Sequence, residues 1–423
     1  MPSNKPKGRK LHRRGPSVFH RNTKRKAILK NIGLTFLALL IIPAGFFAAK
    51  FMIEDSPKNP VEHSSKADTG STTQPTKVTT PAKTNPGKGD AVASGSMRAF
   101  YLPVKKMNPP EALDTILDNA SAAGFNAVLF DLKGADGVLR YKSETELAKQ
   151  ARSIDDGALT KQELKDLLQK LESKRFTAVP RLFAFRDPFA PIHISSAKIT
   201  LEKYPTYTWL DNSREKGGKP WLNPYAPDAH SYIIGLAEEL KDVGFSVILL
   251  DGVQFPNQTS QAGYGNSALR SLSKLEVLKK FVGDLKTAVG NGCRVIQSMP
   301  GLSAFKDGTE PFGGNPVTFG AQTVAPVLMP STLGSKLKVG ETTLKNPASN
   351  PYEAVKLAAG QVVLRLKLME KQPDMMPWLQ AYDDNAQRIN EQIKAVKETI
   401  GNGASFILYH PNGSYDFGSI NMN

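Results

Sequence analysis

The stretch GFSVILLDGVQFP, residues 244–256, decides the fold. Five of the six residues from Phe245 to Leu250 are apolar; then come an aspartate, a glycine and a Phe-Pro stop. A short run that is apolar on both faces and closed by turn residues reads as a strand of a sheet buried on both sides. Asp251 is then either a reacting group at the end of that strand or only its polar terminus.

The same unit recurs on both sides of this stretch. Strand-like runs lie at 99–104, 126–132, 176–185, 245–251, 294–299, 323–329, 375–382 and 404–409. Helical patterns fall between them, at about 108–124, 159–174, 227–244, 268–289, 351–371 and 385–400. Thr160 and Glu163 form a capping pattern for the second helix, and Gly124 ends the first. Only GLSAFKDGTEPFGGNPVTFGAQ, after the fifth strand, is too rich in Gly and Pro for a normal helix. Eight strands alternating with helices between residues 98 and 423 point to an α/β fold, a (β/α)8 TIM-like barrel with insertions. A doubly wound open sheet is the alternative. No GxGxxG opens the first helix, which counts against a dinucleotide fold.

The net charge of +16 raises the question of nucleic acid, and its placement answers it. Residues 1–30 hold eleven Lys or Arg and no acid, whereas residues 98–423 carry 38 basic and 34 acidic groups, a net of only +4. Next comes IGLTFLALLIIPAGFFAA (32–49), which has no charge and, extended through FMI, is long enough to cross a bilayer of roughly 30 Å. Cations before it and acids after it predict a cytoplasmic N-terminus. The expected plan is a basic cytoplasmic tail (1–27), a transmembrane signal anchor (28–53), a disordered Ser/Thr/Pro/Lys linker (54–97) and the barrel (98–423) outside the cytoplasm. A cleaved signal peptide is the rival reading, but FFAAKFMIEDS offers a poor cleavage site. Beside a membrane segment the basic tail reads as topology and anionic-lipid contact, so no nucleic-acid partner is expected.

One cysteine, Cys293, excludes a disulfide framework, and the six histidines show no metal-ligand spacing. No metal and no cofactor are expected. Active sites of such barrels form at the C-terminal ends of the strands. The polar residues placed there are Asp131, Lys133, Arg186, Asp187, Asp251, Gln254, Gln297, Ser298, Ser331, Gln380, Tyr382, His410 and Asn412. Arg181 lies mid-strand, where an inward guanidinium needs a carboxylate, and Asp131 and Asp251 are the expected partners. Each of these residues could equally cap a loop or pair with a neighbour. Trp209, Trp221, Tyr225, Trp378 and Tyr382 fall in loops or at strand ends, where an aromatic face can stack on a sugar ring or pack against the rim.

Over about 98–420 the chain resembles the bacterial putative glycoside hydrolase domain, a barrel family related to the alpha-amylase-type enzymes. The resemblance is carried by NAVLFDLKGADGVLRY (126–141), VPRLFAFRDPFAP (179–191), KPWLNPYAPDAHSYIIGLAEELKDVGFSVILLDGVQFP (219–256), VAPVLMPS (324–331), NPYEAV (350–355), PWLQAY (377–382) and QIKAV (392–396). It implies a carbohydrate-active barrel with Asp251 at the position of the fourth-strand nucleophile. Retaining hydrolysis uses such a carboxylate to attack the anomeric carbon and a second acid to protonate the leaving oxygen. Asp251 follows an apolar run with low-dielectric walls, and a nearby arginine could keep it ionised.

The chain departs from the family pattern at the second carboxylate. Gly252 and Gln254 replace a tyrosine and an arginine of the usual Phe-Asp-Tyr-Ile-Arg-Phe-Pro, Gln297 or Ser298 stands where the fifth strand supplies an aspartate, and Met329 replaces an aromatic. Glu310, Asp187 and Asp383 are the remaining carboxylates near strand ends. The first reading is therefore a membrane-anchored glycoside hydrolase acting on an envelope or environmental polysaccharide, with Asp251, Asp131 and Asp187 as catalytic candidates. Substrate contacts are expected from Arg181, Lys133, Arg186, Trp221, Tyr225, Gln254, Gln297, Ser298, Trp378, Gln380, Tyr382 and His410. The alternative is a degenerate barrel that binds glycan without cleaving it. A metal-dependent hydrolase is disfavoured by the shortage of histidine ligands.

Overall fold

The computed structural model describes residues 95–107, 110–306, 308 and 310–422. The expected tail and anchor, and the linker up to residue 94, lie outside the described residues. Among those described, no helix is long and apolar enough to cross a membrane.

Eight strands form the core: β1 (Arg98–Tyr101), β2 (Ala127–Lys133), β3 (Thr177–Phe183), β4 (Val247–Asp251), β5 (Arg294–Pro300), β6 (Thr323–Val327), β7 (Trp378–Gln380) and β8 (Phe406–Tyr409). Each pairs in parallel with the next, and β8 pairs in parallel with β1, so the sheet closes into a barrel. The helices α1 (Pro110–Ala122), α2 (Lys161–Ser173), α3 (Pro227–Val243), α4 (Lys274–Val289), α5 (Gly301–Phe305), α6 (Pro351–Lys367) and α7 (Ala386–Ile400) follow β1 to β7 in turn. This is the closed eight-stranded parallel barrel with helices that the alternation predicted, and among the described residues β8 is followed only by a short 3-10 turn, Phe417–Ser419. The weak fifth unit, α5, is five residues long.

The strands are apolar on both faces because each face meets apolar neighbours. Ala99, Ala127, Leu129, Val179, Leu249 and Ile296 belong to the cluster that fills the barrel. Phe100, Val128, Phe130, Leu182, Leu250 and Val295 belong to the layer beneath the helices. Both faces are lost to water, which is the pattern of an enclosed parallel sheet. The Thr160–Glu163 capping box opens α2 as expected, and Ser273 and Glu276 form a second one at α4. Met97, read from sequence as the end of the linker, already belongs to the barrel: it is buried, and its carbonyl accepts from the Phe406 N–H at 3.0 Å.

Three insertions leave the C-terminal ends of strands. After β2, Leu139–Tyr141 pairs antiparallel with it and Ile154–Leu159 extends the sheet outward. After β3, Thr200–Leu201 pairs with Ala262–Gly263 from the segment after β4. After β6, Lys336–Val339 and Thr342–Lys345 form an antiparallel hairpin.

Candidate functional site

Strand register assembles a cluster of charge at the mouth of the barrel. Asp131 on β2 lies opposite Arg181 on β3, while Asp251 on β4 lies opposite Phe183, two residues further on. Arg181 therefore meets Asp131 side by side and Asp251 one layer higher. Its Nε donates to Asp131 Oδ1 at 2.5 Å and its Nη2 to Asp131 Oδ2 at 3.0 Å, a forked contact. Its Nη1 reaches Asp251 Oδ2 only at 3.5 Å. The Tyr101 hydroxyl donates to Asp131 Oδ2 at 3.1 Å. Both oxygens of Asp131 are thus occupied by three donors.

The guanidinium is also enclosed by rings, with centroids 5.4 Å away for Tyr101, 4.9 Å for Phe183 and 5.1 Å for Trp378. Burial by itself would weaken the Arg181 cation, but the charge and hydrogen bonds of Asp131, with help from Asp251, hold it more firmly protonated than usual. The Tyr101 and Tyr409 hydroxyls are raised above the ordinary phenol range by burial, and next to Asp131 an additional negative charge is disfavoured.

Asp251 is the carboxylate left available. About a fifth of its side chain, 21%, is exposed to solvent. Burial pushes its proton affinity above the ordinary aspartate range, and the Arg181 charge and the Gly252 N–H, which donates to Oδ1 at 2.8 Å, only partly offset this. Arg181 does favour the ionised form, but burial outweighs it, so the net direction for Asp251 is upward. Gly252 suits the backbone here: its φ of +63° is left-handed, and an added Cβ would stand 3.3 Å from the Phe183 ring.

A stability prediction follows from the direction of this shift. A group whose folded-state pKa is raised stabilises the fold below its unfolded pKa, and that contribution is lost as pH rises through the folded value. Ionised Asp251 is therefore a liability near neutrality. Asp251→Asn is expected to raise the thermal midpoint at pH 7, and the gain is expected to disappear as pH falls below the ordinary aspartate pKa. A midpoint that drops at pH 7 would contradict the assignment.

Other expected residues divide by strand parity. Ser298 on β5 faces inward beside Asp251 and favours its ionised form. Gln297, its neighbour, points to the outer layer, where its Nε2 approaches the Pro316 carbonyl at 3.4 Å; it does not line the mouth. Gln380 Oε1 accepts from the Ser331 N–H at 3.0 Å and its Nε2 donates to the Tyr382 carbonyl at 3.0 Å, tying two mouth loops together. Tyr382 completes the tie through its hydroxyl, 2.9 Å from that of Ser331. Gln254 and His410 are partly exposed at the rim, and Arg186 is exposed. His410 Nδ1 accepts from the Asn412 N–H at 3.2 Å, and burial lowers its basicity.

Lys133 and Asp187 do not belong to the site. A bulge after Asp131 sets Lys133 opposite Leu182, an outward position. Its Nζ lies 2.8 Å from Asp187 Oδ2, and both side chains are completely buried. Asp187 Oδ1 accepts from the N–H groups of Phe189 and Ala190, ordering the start of a short helix. The pair is a strut beneath the β3–α3 connection.

Trp221 and Tyr225 are likewise packing residues and not sugar platforms. Trp221 joins Ile199 and Trp209 in the core of the insertion, with its Nε1 donating to Asp211 at 3.0 Å. Tyr225 is buried against Phe255, Tyr264 and Arg270. Trp378 lies inside the barrel beneath Arg181. Glu310 pairs with Lys274 on α4, and Asp383 is an exposed loop residue. Sequence reading missed Tyr101, Phe183 and Tyr409, which share the inward parity of Asp131, Arg181 and Asp251. It also missed a cleft of about 670 Å³ beside Asp131, walled by Tyr101, Lys105, Arg140 and Asp155.

Comparison with known proteins adds a family match. The profile described as a putative glycosyl hydrolase domain matches residues 99–415. No curated protein matches the chain. Among solved structures, a hypothetical protein from Ruminiclostridium thermocellum is similar at 21% identity and a TM-score of 0.41, covering 47% of this chain and 96% of that one. The catalytic domain of beta-amylase from Paenibacillus polymyxa is similar at 10% identity and a TM-score of 0.46, over 77% of this chain and 95% of that one. A variant of the glycoside hydrolase domain of PelA from Pseudomonas aeruginosa is similar at 13% identity and a TM-score of 0.42, over 76% and 98%. The fold assignment rests on the strand order described above and not on these likenesses.

Proposed function

This chain belongs to the putative glycosyl hydrolase domain family, and from that premise we propose that it is a glycoside hydrolase acting on an envelope or environmental polysaccharide, with Asp251 as the nucleophile. The observation that carries the proposal is the state of Asp251 at the end of β4: partly exposed, poorly hydrated and only weakly engaged by Arg181. A carboxylate made more basic by its surroundings is a better nucleophile toward an anomeric carbon once it is ionised. Arg181 and Asp131 then act as a fixed, mutually neutralising pair that shapes the floor of the mouth.

We propose in addition that residues 28–53 anchor the chain in the cell membrane with the N-terminus cytoplasmic and the barrel outside. The support is the uncharged run at 32–49 with eleven cations before it.

One observation favours the second reading, a barrel that holds glycan without cleaving it. Asp131, the other carboxylate that Arg181 touches, has its oxygens already taken by Arg181 and Tyr101. The test is release of reducing ends from a panel of polysaccharides by the full chain and by Asp251→Asn. Release that falls by roughly 10³-fold or more in the variant supports the enzyme, a loss typical of removing one catalytic side chain. Release unchanged in the variant rules Asp251 out. Binding without release by the parent chain selects the second reading.

A further inference from the structure

The hairpin after β6 carries a local conflict. Lys336 stands directly opposite Lys345, and Lys338 stands opposite Thr343. Side chains alternate along a strand, so Lys336, Lys338, Thr343 and Lys345 share one face of the hairpin. Leu337 is buried on the other face, with Val339 and Leu344 packed into the same apolar cluster. Like charges placed directly across an antiparallel pair destabilise it, and Lys338 is the diagonal neighbour of Lys345. All three lysines are exposed, and none forms an ion pair or side-chain hydrogen bond among the described residues. The only carboxylate between Leu333 and Asn350 is Glu341, at the turn.

The hairpin also lies on the functional end of the barrel. It leaves from the C-terminal end of β6, the end at which Asp251 closes β4. Ser331, at its base, is bonded to Gln380 and Tyr382 of the mouth. We propose that this lysine face binds a negatively charged glycan strand and guides it to the barrel mouth, which rests on the glycan reading above. A polymer with one charge per sugar offers anions at regular intervals to three cations that otherwise only repel one another. Uncompensated like charges at a rigid surface mark a place where a partner supplies the opposite sign. Edge protection against strand addition needs no such clustering on a single face.

The test is titration of the full chain with polygalacturonate, with a neutral β-glucan as reference. The triple variant Lys336→Gln, Lys338→Gln, Lys345→Gln is expected to bind polygalacturonate about tenfold more weakly at low salt, the sum of three modest exposed charge contacts. High salt is expected to erase most of the difference. Neutral glucan binding is expected to be unchanged. A control with the same charge change on Lys165, Lys279 and Lys371 is expected to behave as the parent, and the basic N-terminal tail is common to all the variants. Equal weakening by both triple variants overturns the proposal, as does failure of the parent to bind polygalacturonate. A single-stranded oligonucleotide bound as tightly, and lost through the same three lysines, overturns its assignment to glycan. Asp251→Asn is expected to keep the polygalacturonate affinity, so failure of the hairpin and failure of the hydrolase reading give different results.

Discussion

Lys133→Met is expected to destabilise the barrel by about 3–5 kcal/mol, the cost of leaving one partner of a buried ion pair alone. Lys133 and Asp187 are both completely buried, and the ammonium also donates to the Phe183 carbonyl at 2.8 Å. Methionine fills similar volume, so the loss reports the stranded Asp187 carboxylate and not a cavity. Adding Asp187→Asn should restore a large part of the stability, because an amide needs no counter-charge and still offers an oxygen to the Phe189 and Ala190 N–H groups. Urea denaturation of the parent, both single variants and the double variant closes the cycle. A loss below about 1 kcal/mol in Lys133→Met, well under the cost of a stranded buried charge, would show that Asp187 finds water or another cation, and the strut assignment would fall.

Arg181→Met is expected to have a comparable effect with a different pH signature. Removing the guanidinium leaves Asp131 and Asp251 in one enclosed mouth with no cation between them, so one of them must take up a proton or the fold must open. The destabilisation is expected to be about 3–5 kcal/mol at pH 7. It should shrink as the pH is lowered, because protonating either carboxylate removes the repulsion. Arg181→Lys should rescue only part of the loss, since an ammonium cannot fork onto Asp131 and also reach Asp251. A loss independent of pH would instead identify Arg181 chiefly as a packing residue among Tyr101, Phe183 and Trp378.

The two arginine and lysine sites were not distinguishable from sequence for a definite reason. Lys133 follows Asp131 by two residues, so regular alternation places both on the interior face. The bulge in β2 breaks that alternation and turns Lys133 to the outer layer. Gln297 and Ser298 present the same problem: one of two adjacent residues must face in, and VIQSM is compatible with either choice because the strand is buried on both faces. The tryptophans of the β3–α3 insertion have no periodicity to follow, and their burial depends on a partner segment from after β4.

The chain's own residues determined the alternation of eight apolar strands with helices, the weak fifth unit, and the place of Asp251 at a strand end. They also determined that the basic charge is concentrated before residue 31. These depend on local composition and spacing, which need no knowledge of what packs where. Tertiary structure decided which side of each strand meets the barrel interior, and therefore that Asp131, Arg181, Asp251 and Ser298 converge while Lys133, Asp187 and Gln297 do not. A parallel strand covered on both faces lacks the polar alternation that would mark one face as inner. Only closure of the barrel, with its register and its one bulge, makes that choice.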